Sequence, residues 1–205
     1  VPELEAQLVA GGIGDGVLGT NRYGLIGFGS STPDPRTIPI GNAGTPSGTA
    51  AECVANSTAL VTNGVREDGW WGIDYALTSP DFTLRPQAEK IFILVTDEGR
   101  VVLNNALVQA TLEASLFTAD VTLHGILGVN IVDAANNVAV AASGDSPADT
   151  AFLANGTGGF TSTPGPVITE SPIGSTNTGT IPNYTDIVFS TGGLVGPFGI
   201  VGLGN

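Results

Sequence analysis

The segment Lys90-Ile-Phe-Ile-Leu-Val-Thr-Asp-Glu98 restricts the fold of this chain more than any other. It is an unbroken run of β-branched, aliphatic and aromatic residues that ends in two carboxylates. A run that is apolar on both faces predicts a central strand of a parallel sheet, covered by helices on both sides. Ile91, Ile93, Leu94 and Val95 are then expected in the core, with parallel neighbours at Leu25–Ile26 and Ile126–Leu127. In such sheets ligands bind outside the carboxyl ends of the strands. Thr96, Asp97 and Glu98 fall at that place, and a hard cation takes oxygen ligands of this kind. Asp97 as the N-cap of a following helix is the competing reading.

The flanking sequence supplies the helices. Pro2 to Val9 predicts one, with Pro2 in the first turn and Glu3 and Glu5 near the positive end of the dipole. Gly69 to Leu77 predicts another, because Trp70, Ile73 and Leu77 share a face and Asp68 is a candidate N-cap. Asn104 to Thr118 predicts a third, from Leu103, Leu107, Ala110, Ala114 and Phe117 at helical spacing. Tyr23 to Phe28 and Val121 to Ile131 read as further strands. Ser30 to Thr49 reads as a loop, and Ala51 to Leu60 as a short helix or strand. The alternation implies one α/β domain over 1–205: a doubly wound, mostly parallel sheet flanked by helices. Residues 143–183 are rich in Gly, Ser, Thr and Pro and read as an irregular loop or hairpin insertion. Tyr184 to Thr191 reads as a short helix. Leu194 to Leu203 is an apolar strand that Pro197 places at an edge or a bulge.

Charge excludes two classes of partner. There are 19 Asp and Glu against 6 Lys and Arg, a net charge of -13. Nucleic acid and anionic membrane surfaces both require a basic patch. No apolar run is long enough to insert in a bilayer. The chain opens with Val1-Pro2-Glu3, which reads as a processed product or a fragment. Asn56, Asn155 and Asn183 each begin an Asn-x-Ser/Thr sequon and are candidate glycosylation sites in a secreted protein. Cys53 stands alone, so no intrachain disulfide forms; it is either a buried small hydrophobe or half of an intermolecular disulfide. His124 lies among apolar residues and belongs to no hydrolytic triad, so an enzyme is not expected. Trp70 is needed in the core, and Trp71 is either core or an interface anchor.

Three segments in this order resemble the von Willebrand factor A-type domain: Arg22-Tyr-Gly-Leu-Ile-Gly-Phe-Gly29, Arg66-Glu-Asp-Gly-Trp-Trp-Gly-Ile-Asp-Tyr-Ala-Leu77, and Phe82 to Glu98. They look like a secreted subgroup of that family, and Tyr184 to Gly193 is similar to its last helix and turn. The resemblance implies a doubly wound fold with a Mg²⁺ or Ca²⁺ site built by three loops. Nothing here matches the first loop, an Asp-x-Ser-x-Ser element. The second loop usually supplies a Thr, where this chain has Glu67-Asp68-Gly69. The third supplies an Asp, which Asp97 matches. Asp97, Asp68 and Glu67 are thus expected to form an incomplete site, with no cofactor or with weakly bound Mg²⁺ or Ca²⁺.

The expected function is an extracellular, secreted structural or adhesion protein, acting on copies of itself or on other extracellular proteins. An absent first strand would leave a sheet edge, and edges template strand addition. Leu194 to Leu203 of a neighbour is the expected donor, with Trp71, Leu194, Val195, Phe198, Ile200 and Val201 at the interface. The alternative is a metal-dependent ligand-binding module of a larger secreted protein.

Overall fold

A computed structural model describes residues 1–14, 20–29, 34–60, 66–144, 149–170 and 184–198. The elements run α1 (Pro2–Ala10), β1 (Tyr23–Gly24), β2 (Ile26–Gly27), β3 (Arg36–Thr37), β4 (Ser47–Gly48), α2 (Ala50–Asn56), α3 (Gly69–Thr78) and β5 (Lys90–Thr96). There follow α4 (Gln109–Ala119), β6 (Val121–Leu127), β7 (Val129–Val132), β8 (Ala141–Ser143), β9 (Thr150–Ala154), β10 (Phe160–Pro164), β11 (Val167–Glu170), α5 (Asp186–Ser190) and β12 (Leu194–Pro197).

Local chemistry accounts for the helix ends. Pro2 opens α1, where a missing N–H costs nothing. Thr49 and Glu52 form a capping box on α2. Asp68 caps α3 by accepting from the Trp71 amide. Asp120, in the left-handed region at φ 56°, stops α4 and turns the chain into β6.

Six strands form the main sheet in the order β10-β9-β8-β12-β6-β5. β5, β6 and β12 run parallel, whereas β12–β8, β8–β9 and β9–β10 are antiparallel. The fold is therefore mixed α/β. The stretch 143–183, expected as an irregular loop or hairpin insertion, adds the hairpin β9–β10 to this sheet, and its further strand β11 pairs with β7. Residues 145–148 and 171–183 of that stretch lie outside the described part.

Helices α3, α4 and α5 share one core against one face of the sheet. Trp70, Ile73, Leu112, Leu116, Ile187 and Val188 meet Leu94, Leu123, Leu127 and Val195 there. Each such side chain contributes roughly 1.5–3 kcal/mol on burial. The buried face of α4 is set by Leu112 and Leu116, and Phe117, expected inward, is 88% exposed.

The Lys90–Thr96 strand departs from expectation in two ways. It lies at the edge of the sheet, with β6 as its described neighbour. Its Leu94↔Gly125 to Thr96↔Leu127 register includes the expected partners Ile126 and Leu127. Leu25 and Ile26 are not its neighbours: β1 and β2 pair antiparallel with β4 and β3 instead. Burial also alternates. Leu94 is 5% exposed, but Ile91, Ile93 and Val95 are 41%, 47% and 48% exposed. These three lie beside Thr122, His124 and Ile126 on the face away from the helices. The run is apolar on both faces, but among the described residues helices cover only one.

A smaller cluster, Ile38, Ile40 and Cys53 with Tyr23, Leu25 and Leu60, holds β1–β4 to α2. Glu5 ties α1 to this unit by accepting from Asn21 Nδ2 at 2.9 Å and from the Tyr23 hydroxyl.

Candidate functional site

The open edge of β5 borders a groove of about 710 Å³. One wall is Tyr23, Gly24, Leu25, Ile26 and Phe28, and the other is Lys90 to Leu94. Gly72, Ile73 and Ala76 of α3 join the two walls. A Cβ at Gly72 would come within 2.9 Å of the Phe28 ring, so a side chain there would have to displace that ring. Among the described residues β1, β2 and β5 each have one ladder partner. Backbone of these strands and the apolar residues Ile73 and Ala76 line one cleft.

The groove is also where the scarce cations gather. Arg22, Arg85 and Lys90 line it, in a chain with only 6 Lys and Arg. Arg22 donates to the Ser47 carbonyl at 3.1 Å, and Arg85 to the Thr20 carbonyl at 3.1 Å. Among the described residues no carboxylate is within ion-pair distance of these three cations. Among the described residues Glu89 is the one acidic residue that lines it.

The C-terminal end of β5 is acidic. The Thr96 hydroxyl donates to Glu67 Oε2 at 2.8 Å, and the Glu98 amide donates to Thr96 Oγ1 at 3.3 Å. Burial pushes the Glu67 carboxyl above its usual range; the Thr96 hydrogen bond opposes this, and the charges of Asp97 and Glu98 add to it. A carboxyl raised in the fold contributes stability below its unfolded value, and that contribution is lost as pH rises through the folded value. Glu67→Gln should therefore raise Tm at pH 7. The gain should vanish below about pH 4.3, the ordinary Glu value. Thermal melts at both pH values check this, and an equal shift at each would refute it.

Asp68 is not available to a metal. Its carboxylate is 1% exposed and every approach to it is taken. Arg100 Nε and Nη2 donate to it at 2.7 and 3.2 Å, and the amides of Leu103, Asn104 and Trp71 donate at 2.9, 3.3 and 3.4 Å. The guanidinium lies over the Trp70 ring at 3.9 Å. Asp68 thus anchors the 100–104 loop to the start of α3, which corrects its expected role as a cation ligand. Among the described residues no cluster of three or more His, Cys, Asp and Glu is arranged to hold a metal ion. Glu67 and Asp97 keep their place at the end of β5 without the third ligand that Asp68 was expected to supply.

The expected interface residues scatter. Val195 is 0% exposed in the middle of the main sheet, paired with Gly125 and Ala142. Leu194–Pro197 is thus taken up by its own sheet and is not a free donor, nor does it lie beside β5. The Leu194 and Phe198 side chains remain partly exposed, and Trp71 packs at the margin of the core. Ile200 and Val201 lie outside the described residues.

Cys53 is buried beside Ile38 and Ile40, and burial pushes its thiol up, which favours the buried-hydrophobe reading. Of the sequons, Asn56 Nδ2 already donates to the Ile40 and Glu52 carbonyls at 2.8 and 3.0 Å. Those bonds occupy the nitrogen that a glycan would need. Asn155 is exposed and uses its Oδ1, which accepts from the Thr157 amide and hydroxyl at 2.9 Å. Asn183 lies outside the described residues. His124 Nδ1 accepts from the Leu194 amide at 3.0 Å, and burial lowers its pKa. That is a structural role.

Sequence reasoning missed Arg100, Tyr184 and the cationic rim. Arg100 had a signal: it is the sole Lys or Arg beyond position 90. Tyr184 is 0% exposed and its hydroxyl accepts from the Gly69 amide at 3.1 Å. Nothing local to Tyr184 indicated that contact. No protein-family model matches this chain, and neither a curated protein nor a solved structure does.

Proposed function

We propose that this chain is a non-enzymatic extracellular structural or adhesion module of the von Willebrand A type, acting through protein–protein contacts and assembling with copies of itself. The observation that carries this reading is the β5 edge, with Ile91, Ile93 and Val95 exposed and the groove alongside. An apolar strand edge is a template for pairing with another chain. A doubly wound arrangement would place a further layer over the same three side chains. The binding surface is therefore the β5 edge, and the Leu194–Pro197 strand is not the donor.

The net charge of -13 opposes close approach of copies at low salt. Assembly is accordingly stronger at high ionic strength, where the Debye length falls to about 3 Å at 1 M. Light scattering across a concentration series tests the reading. The expected result is a mass that grows with protein and with salt, and that returns to monomer in the Ile93→Lys, Val95→Lys double variant. A constant monomer mass at high salt would remove self-assembly. Growth unaffected by the double variant would move the contact away from β5.

A further inference from the structure

We propose that the groove takes one extended peptide strand of a partner, apolar along its length and acidic at one end, inserted between β5 and the Tyr23–Ile26 wall. This deepens the protein–protein reading above and rests on it, naming the occupant of the same surface.

Three observations converge. The groove has strand backbone on both walls, and each wall has one edge without a described ladder partner. An inserted strand would bond on both sides and join β1, β2 and β5 into one sheet, whereas a strand on an ordinary edge bonds on one side only. The base is apolar, with Ile73 and Ala76 of α3 between the walls. Side chains of the occupant that alternate toward α3 would be removed from water there. Finally, Arg22, Arg85 and Lys90 line the groove against Glu89. Arg85 reaches the Thr20 carbonyl at 3.1 Å, two residues from Arg22, so these two cations gather beside the start of β5. A carboxylate on the occupant belongs at that end.

Fluorescence anisotropy on the full chain tests this with a labelled peptide, acetyl-Asp-Glu-Val-Ile-Val-Ile-Val-amide. Two controls accompany it: the same peptide opening with Lys-Lys, and the Asp-Glu peptide N-methylated at alternate amides. Binding of the Asp-Glu peptide is expected, with each control weaker by about tenfold or more. Lys90→Glu should reverse the preference between the two charged peptides. Circular dichroism confirms that this variant is folded, and Arg85→Glu serves as the second variant. Equal binding of the N-methylated peptide would overturn strand insertion. Equal binding of the Lys-Lys peptide would overturn the charge assignment. Peptide binding without growth in mass leaves this inference standing while self-assembly fails; growth in mass with no peptide binding does the reverse.

Discussion

Asp68→Ala should destabilise the protein by about 3–5 kcal/mol, the cost of leaving a buried charge without its partner. Arg100 is the charge in question, with a side chain 5% exposed. The substitution also removes the N-cap of α3 and the acceptor for the Leu103 and Asn104 amides. Chemical denaturation of the single variant and of the Asp68→Ala, Arg100→Met double variant separates these terms. The double variant no longer strands a cation, so it should recover part of the loss. A single-variant loss below about 1 kcal/mol, the range of an exposed pair, would mean that water reaches the pair.

Leu94→Ala should cost about 2–5 kcal/mol, because a cavity opens where the Leu94 side chain meets the helical layer. Ile93→Ala, one residue earlier on the same strand, should cost about 1 kcal/mol or less, since Ile93 is 47% exposed. The contrast matters more than either value. Similar losses at both positions would show that a second layer covers Ile93 in solution, and would overturn the open face. Denaturant midpoints at constant m-value give the comparison directly.

What was legible in the sequence was mostly local. The Asp68 cap, the Pro2 start of α1 and the pairing of the 91–96 run with Ile126–Leu127 all follow from neighbouring residues or from two strong apolar runs. What was not legible depended on partners far along the chain. The run at Lys90–Thr96 is apolar on both faces whether or not both are covered, so composition does not distinguish a central strand from an edge. In α4, Phe117 and Leu116 belong to two competing periodic sets, and one residue is about 100° of rotation. Leu112 and Leu116 won because Ile187 and Val188 arrive from much later in the chain to meet them. At the candidate site, Glu67-Asp68 read as cation ligands because carboxylates at a strand end fit that chemistry. The guanidinium that claims Asp68 comes from 32 residues away. The groove was not legible at all, since its walls come from segments far apart in the chain, residues 23–28 and 90–94.

The position of β12 bears on how this protein is made. It is the last described strand, yet it lies between β6 and β8 inside the main sheet. Until it emerges from the ribosome, no described strand pairs with both β6 and the β8–β9–β10 meander. Closing that gap requires contacts of long sequence separation, which form slowly. The nascent chain therefore exposes two half-sheets during synthesis, and each is prone to mispair with the other copies being made nearby.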